Sequence, residues 1–411
     1  MENIVKKGKK VAILGAGNVG ASTAFCMINQ GICDEIVLID MNTERAKGET
    51  LDMIHSIAFM NRNMEIKLGD YTDCKDADVL VITASAPMGK ENDRLVALKS
   101  SSKIVTSIVS SAIENGFDGF IVVVSNPVDI MTYVAYKVSG LPANQIIGSG
   151  TLLDSARLQC HIADCIDVDP KSIHAYVLGE HGDSEMIPWS TVRVGGKDIY
   201  QIIKDNPTRM NEGMFESIHE AVKKDGWEIF NRKGNTCYGI AASTTRIVRA
   251  LMFNESVVLP ISTYLDGQYG QDGVFTSVPA ILDATGVKEV VEIEMTKEEK
   301  EQLGGFLQKD FSGQKNVRVT AKQMEKALQS SRFCNFTWEE ILELYTGRAL
   351  LVKKEEKQKE EQKRESWFQN IQLQLKNPDF RNWISEVLQN RKESYLFLLQ
   401  QYKENKKELE D

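Results

Sequence analysis

The chain has 411 residues, 42% hydrophobic and 26% charged, which is enough for two or three domains with a substantial buried core. Its net charge of −9 gives no reason to expect nucleic acid or an anionic membrane as the main partner. The seven cysteines are scattered without metal-ligand spacing, and no apolar run approaches the roughly 20 residues that span a bilayer, which predicts a soluble cytoplasmic protein without a metal site.

The first 150 residues alternate β-rich and helical segments. Apolar runs with little polar alternation predict strands at residues 10–14, 35–40, 79–83 and 120–125. Segments with helical spacing lie between them, such as residues 18–31 and 95–116. This β-α-β succession predicts an α/β domain with a doubly wound parallel sheet.

A glycine-rich turn follows the first predicted strand directly. Gly15, Gly17 and Gly20 form a G-x-G-x-x-G motif between a strand and a helix, which is typical of loops that bind the pyrophosphate of a dinucleotide. Asp40 ends the second strand, where a carboxylate can accept hydrogen bonds from both ribose hydroxyls and would repel a 2′-phosphate. The pattern predicts a Rossmann domain over residues 1–147 that binds NAD rather than NADP.

The pattern changes twice after this domain. From residue 148 it is mixed, with antiparallel-looking strands in MIPWSTVRVGGKDI, which predicts an α+β catalytic domain over residues 148–312. Residues 313–411 contain a charge-dense run, apolar residues at helical spacing and three of the five tryptophans. We expect a helical C-terminal extension there: a solvated appendage, an appendage that docks on its own oligomer, or a binding module for another protein.

Four further motifs carry residues suited to proton transfer and anion binding. His181 lies in GEHGDS, and Asp154 and Arg157 lie one helical turn apart in GSGTLLDSARLQ. Asn126 belongs to SNPVDI, and Arg94 to the polar segment APMGKENDRL. With the glycine motif, they resemble the lactate/malate dehydrogenase superfamily in order and at similar spacing over roughly residues 8–310. The similarity is greatest to the L-lactate dehydrogenase branch, including L-2-hydroxyisocaproate dehydrogenases.

The resemblance implies hydride exchange between NAD and a small 2-hydroxy acid. His181 would be the base, and the acid in the reduction direction. Asp154 would hold the other ring nitrogen and stabilise the imidazolium, while the fork of Arg157 would bind the substrate carboxylate bidentately. Arg94 would polarise the carbonyl of the substrate.

The resemblance also implies the remaining contacts. The other substrate-binding residues would be Asn126, Met88 and Thr236. The cofactor-binding residues would be Gly15, Gly17, Asn18, Val19, Gly20, Asp40, Thr83, Ala84, Ser85, Val124 and Asn126. A homotetramer in glycolysis and carboxylic acid metabolism is the family expectation. The complete set of proton-transfer and anion-binding residues argues against the alternative of a non-catalytic scaffold.

Two departures from the family bear on the substrate. Met88 stands where lactate enzymes carry glutamine and malate enzymes arginine, so a second substrate carboxylate would lack a cationic partner and malate is disfavoured. Gly226 stands where lactate enzymes often carry alanine, which leaves extra room, although the neighbouring Asp225 has no evident role in an apolar pocket. Pyruvate, favoured by the family, and larger apolar 2-oxo acids such as 2-oxoisocaproate both remain open.

A third departure concerns regulation. Many bacterial lactate enzymes bind an activating sugar bisphosphate through an arginine two residues after Arg157 and a histidine seven residues before His181. This chain keeps His174 but has Gln159 at the arginine position. Because the phosphate site would lose much of its charge, we expect no activation by a bisphosphate.

Overall fold

The computed structural model describes residues 8–85, 94–182 and 184–312, without the side chains of residues 94–99 and 305–312. They fall within the first of two units of the chain, residues 1–339. Met88 and the predicted extension, residues 313–411, lie outside the described residues. Within the described part, no helix is both long enough and apolar enough to cross a membrane.

Six parallel strands form the first half of the main sheet. They are β1 (Lys10–Leu14), β2 (Glu35–Ile39), β3 (Glu65–Leu68), β4 (Val79–Ile82), β5 (Phe120–Val123) and β6 (Ile146–Gly148). Their spatial order is β3-β2-β1-β4-β5-β6, and all neighbouring pairs are parallel. This is the strand order of the dinucleotide-binding doubly wound fold, with its crevice at the carboxyl ends of β1 and β4. The predicted Rossmann sheet is confirmed.

Four helices cover this parallel half. They are α1 (Asn18–Gln30), α2 (Thr43–Ser56), α3 (Arg94–Glu114) and α4 (Val128–Ser139). Helix α1 ends at Gly31, whose φ of 62° is left-handed and whose N–H donates to the carbonyl of Ile28. Because helices lie on both faces, β1 and β4 are buried along their whole length, which is why their sequences are apolar throughout except for Lys10, which pairs with Asp76.

The second half of the described chain is mixed. Its helices are α5 (Leu152–Ile166), α6 (Ile199–Asp205), α7 (Phe215–Lys233), α8 (Tyr238–Phe253) and α9 (Lys297–Ser312). A small antiparallel sheet contains β7 (Ile173–His174), β8 (Arg193–Val194) and β9 (Lys197–Asp198), so the antiparallel strands predicted in this region are confirmed for residues 193–198. Helices α5 and α7 pack together over an apolar cluster that includes Leu158, Ile162 and Val222.

Three antiparallel strands extend the main sheet. They are β10 (Val257–Asp266), β11 (Asp272–Asp283) and β12 (Gly286–Val290). Strand β10 pairs with β6 through Ser262 and Gly148, so that one sheet of nine strands runs through both halves of the described chain. Strand β11 also anchors the segment around His181, because Gly179 and Ser277 exchange two backbone hydrogen bonds of 2.9 and 3.0 Å.

Candidate active site

The glycine-rich turn has the shape of a phosphate-binding loop. Gly15 follows β1 with a φ of 110°, a left-handed conformation that favours glycine. A Cβ atom at Gly20 would lie 1.8 Å from the carbonyl oxygen of Gly15, so only glycine lets the start of α1 approach the turn so closely. Around Gly17 there is no neighbouring atom within 4 Å of the corresponding position. The loop therefore leaves open space at the N-terminus of a helix, which fits a pyrophosphate group.

Asp40 lies beside this loop at the end of β2. One of its carboxylate oxygens accepts a hydrogen bond from the backbone N–H of Ala16 at 2.6 Å, and the other accepts from the N–H of Asn42 at 2.8 Å. A carboxylate has about four lone-pair sites, so Asp40 keeps acceptor capacity for ribose hydroxyls. The contact with Ala16 adds a role that the sequence analysis did not anticipate, because the same side chain braces the glycine turn.

Of the other predicted cofactor residues, Asn18 and Val19 begin α1, and the rest lie at the ends of β4 and β5. Thr83 donates a hydrogen bond from its hydroxyl to the carbonyl of Gly15 at 2.8 Å, and the Ser125 hydroxyl donates to the carbonyl of Ala84 at 2.5 Å. Because β4 is paired in parallel with both β1 and β5, the residues that follow these strands share one edge of the sheet. These neighbours are Thr83, Ala84, Ser85, Val124 and Asn126.

His181, Asp154 and Arg157 form one connected group. Asp154 lies in the first turn of α5 and is only 2% exposed. One of its oxygens lies 2.5 Å from Nδ1 of His181, and the other accepts a hydrogen bond from an Nη atom of Arg157 at 2.8 Å. A single buried carboxylate therefore holds both the imidazole and the guanidinium in place.

This contact changes the proton affinity of both partners. Burial by itself lowers the pKa of His181, but the adjacent Asp154 carboxylate outweighs it and raises the pKa to about 9. Burial favours the neutral form of Asp154, yet His181 and Arg157 together hold its pKa below the usual value. At neutral pH the free protein therefore contains an imidazolium paired with a carboxylate.

Asp129 supports His181 from a third element, and the sequence analysis missed it. It lies in α4, is 8% exposed, and accepts a 3.0 Å hydrogen bond from the backbone N–H of His181. Its other oxygen accepts from the hydroxyl of Ser262 in β10 at 2.5 Å. Burial raises the pKa of Asp129 to about 6 despite these hydrogen bonds. In the sequence, Asp129 can be recognised only as the acid three residues after Asn126 in SNPVDI, and its spacing does not indicate a contact with His181.

Comparison with known families identifies the family that has this geometry. Residues 9–148 match the family model for the lactate/malate dehydrogenase NAD-binding domain, and residues 151–309 match that for the lactate/malate dehydrogenase alpha/beta C-terminal domain. The chain belongs to the lactate/malate dehydrogenase family. The resemblance read from the motifs is confirmed, and the match to an NAD-binding domain agrees with the cofactor predicted from Asp40.

Individual members of the family are similar over most of their own length. L-lactate dehydrogenase 3 of Bacillus anthracis is 47% identical over 292 residues, which are 71% of this chain and 92% of that protein. L-lactate dehydrogenase 2 of Lactococcus lactis subsp. lactis is 45% identical over 295 residues, 72% of this chain and 94% of that protein. The crystal structure of a minor L-lactate dehydrogenase from Enterococcus mundtii with bound ligands has a TM-score of 0.71 and 44% identity, covering 73% of this chain and 96% of that one.

The C-terminal part of the chain matches a different family. Residues 290–411 match the N-terminal part of a protein family of unknown function. This match overlaps the lactate/malate dehydrogenase match over residues 290–309. The predicted extension thus lies within the match to a second family, whose description names no function.

Three predicted substrate residues differ in how far the structure describes them. Thr236 is half-buried and directly precedes the cap of α8. Arg94 is the first residue of α3, but its side chain lies outside the described part, as does the whole of Met88. The described residues that are joined by contacts at the site are therefore His181, Asp154, Arg157 and Asp129.

Helix α7 brings Gly226 against Arg157. A Cβ atom at Gly226 would lie 3.5 Å from one Nη atom of Arg157, an ordinary contact distance. The neighbouring Asp225 is directed toward α5, where its carboxylate lies 2.9 Å from Nε2 of His161. This contact accounts for the acid that had no evident role in the sequence, and it removes the objection to Gly226 as a source of extra room.

Proposed function

We propose that the protein is an NAD-dependent L-2-hydroxy acid dehydrogenase that interconverts pyruvate and L-lactate. The observation that carries the proposal is the buried Asp154 carboxylate, which holds His181 on one oxygen and Arg157 on the other. The similar proteins of Bacillus anthracis and Lactococcus lactis are named L-lactate dehydrogenases, which supports the same reaction.

His181 is the proton donor and acceptor in this proposal. In reduction its imidazolium gives a proton to the oxygen of the substrate, and in oxidation the neutral ring takes the proton back. Asp154 fixes the ring through Nδ1, so that Nε2 remains for the substrate. NADH, when bound at the glycine turn and Asp40, supplies the hydride. Asp129 keeps the backbone of His181 in place.

Arg157 binds the carboxylate of the substrate. Its contact with Asp154 uses one Nη atom, and the guanidinium retains further N–H groups for a carboxylate. We further propose that Asn126 and Arg94 hydrogen-bond the reacting oxygen, and that Met88 and Thr236 line the pocket. Within this arrangement Arg157 orients the substrate while His181 transfers the proton.

Larger apolar 2-oxo acids are the second candidate substrates, and Gly226 is the observation that favours them. Without a side chain at this position, space remains beside the Arg157 guanidinium. Met88 offers no cation for a second carboxylate, so oxaloacetate is the least favoured substrate.

A substrate panel tests the proposal. We expect NADH oxidation with pyruvate and with 2-oxoisocaproate at kcat/KM values far above that with oxaloacetate. Replacing Gly226 with alanine should shift the ratio of kcat/KM values toward pyruvate by roughly tenfold, which is within the range that one methyl group contributes to substrate discrimination. No activity with any 2-oxo acid would contradict the dehydrogenase, and preference for oxaloacetate would contradict the argument from Met88.

Activation by a sugar bisphosphate should be absent. Gln159 carries no charge, and its amide donates to the carbonyl of Ala175 at 3.4 Å, while His174 is exposed in β7. We expect the KM for pyruvate to stay unchanged when fructose 1,6-bisphosphate is added. Sodium sulfate at the same ionic strength is the control, and a clear drop in KM with the bisphosphate alone would overturn this prediction.

The organisation of the whole chain belongs to the same proposal. We assign residues 1–147 to cofactor binding, residues 148–312 to substrate binding and residues 313–411 to an extension that contacts its own oligomer or an unknown protein partner. A cytoplasmic homotetramer is the expected form. Exposed apolar side chains support an oligomer, because Leu51 and Ile54 on α2 are 46% and 42% exposed and the following Phe59 is 88% exposed.

A further inference from the structure

Glu185 is a buried acid beside the proposed active site. It lies four residues after His181 and is only 3% exposed. One of its carboxyl oxygens is buried without a hydrogen-bond partner among the described residues. Burying a carboxyl group without a hydrogen-bond partner costs free energy of folding, and the cost depends on the charges around the group.

The backbone, rather than its own carboxyl group, holds Glu185 in this position. The next residue, Met186, exchanges two backbone hydrogen bonds of 2.8 and 2.9 Å with Leu178. The carbonyl of Glu185 lies 3.0 Å from Nε2 of His219 in α7. The side chain is therefore directed inward by the segment that also carries His181.

The carboxyl group of Glu185 faces the His181–Asp154 pair. One nitrogen or oxygen atom from each of Glu185, His181 and Asp154 lies within 4.8 Å of the other two. The contact of 2.5 Å between His181 and Asp154 is shorter than the separation of two ligands on one metal ion, whose bonds are each about 2.0 to 2.2 Å long and diverge tetrahedrally. The cluster therefore suits a shared proton rather than a metal ion.

Charges from several elements act on this cluster. Among the described residues they are Asp154 and Arg157 from α5, Asp129 from α4, Lys223 from α7, and Glu180 and Glu185 from the segment around His181. His219 of α7 also lies nearby, but burial lowers its pKa and so favours its neutral form. Of the carboxyl groups, Asp154 and Asp129 are hydrogen-bonded, whereas Glu185 keeps an oxygen without a partner. The charge of Glu185 is thus less satisfied by hydrogen bonds than the charges of Asp154 and Asp129.

We propose that Glu185 is a second carboxylate of the proton-transfer site, and that its charge sets the pH at which His181 gives up its proton. This inference rests on the proposed function for its catalytic consequence. Burial and the nearby Asp154 raise the pKa of Glu185 to about 8, while that of His181 is raised to about 9. When Glu185 is ionised, its negative charge stabilises the imidazolium of His181.

A histidine titration tests the proposal directly. Replacing Glu185 with glutamine removes the charge with little change in volume. We expect the NMR titration midpoint of the His181 ring to fall by about one pH unit, which is a tenfold change in the ratio of neutral to protonated imidazole. With only five histidines in the chain, the His181 resonance can be assigned by its loss in a His181→Asn protein.

The pH dependence of activity provides the second measurement. In the wild type, kcat/KM for pyruvate reduction should fall above the midpoint, and kcat/KM for lactate oxidation should rise up to it. In Glu185→Gln both breakpoints should move to lower pH by the same amount as the NMR midpoint. A merely structural role would lower the rates without moving the breakpoints.

Two further proteins make the outcome decisive. Glu185→Leu removes the unpartnered polar group as well as the charge, and it should lower the midpoint as Glu185→Gln does. Glu289→Gln, at an exposed position in β12, is the matched control and should leave the midpoint unchanged. An unchanged His181 midpoint in both Glu185 proteins overturns the inference. Absence of 2-oxo acid reduction by the wild type would instead refute the proposed function, because the NMR titration does not depend on activity.

Discussion

Replacing His181 with alanine should lower turnover of pyruvate by a factor of about 10² to 10⁴, the usual contribution of a positioned acid–base group. NADH affinity should change little, because the glycine turn and Asp40 are built from other elements of the fold. Steady-state kinetics and NADH fluorescence titration measure the two quantities separately.

His55 provides the control for this experiment. It is exposed near the end of α2, so His55→Ala should retain wild-type turnover. If His181→Ala keeps turnover within about threefold of the wild type, far less than the loss of an acid–base group entails, His181 is not the proton carrier.

Replacing Arg157 with lysine should have the second large effect, on kcat/KM for the substrate. Lysine keeps the positive charge but cannot hold Asp154 on one side and a carboxylate in a bidentate pair on the other. Disrupting a buried, hydrogen-bonded charge pair costs about 2 to 5 kcal/mol, which corresponds to a loss of roughly 30-fold to several thousand-fold. Initial rates over a range of pyruvate concentrations measure it.

Arg209→Lys is the matched substitution, since the Arg209 side chain donates to the carbonyl of Ile166. It should leave kcat/KM close to the wild-type value. Equal losses in the two lysine proteins would show that the Arg157 effect is a general consequence of losing a guanidinium, and would remove Arg157 from substrate binding.

Four of the six parallel strands, β1, β2, β4 and β5, could be predicted because burial on both faces makes them largely apolar, whereas β3 alternates polar and apolar residues and β6 has only three residues, and neither was predicted. The glycine turn and Asp40 could also be predicted, because both lie at strand ends, where the local sequence determines the backbone conformation. The antiparallel strands β10 and β11 were not predicted. Each contains a proline, Pro260 and Pro279, which face each other in the pairing register, and proline within a run argues against a central strand.

The sequence could name the acids near His181 but not their orientation. Glu180 directly precedes it and Glu185 follows four residues later. Only the folded backbone shows that Glu185 is directed inward, because the turn between Leu178 and Met186 determines the direction of each side chain. Asp129 comes from 52 residues away along the chain, a separation over which spacing carries no information on contact.

Since one carboxylate joins the imidazole to the guanidinium, uptake of the 2-oxo acid and uptake of the proton are thermodynamically linked. In the proposed mechanism, a substrate anion bound to Arg157 would offset the positive charge that repels the His181 imidazolium, and so would stabilise the imidazolium beside Asp154. By reciprocity, the protonated enzyme has the higher affinity for the anion. The form that has taken up the proton is therefore the form that best retains the 2-oxo acid.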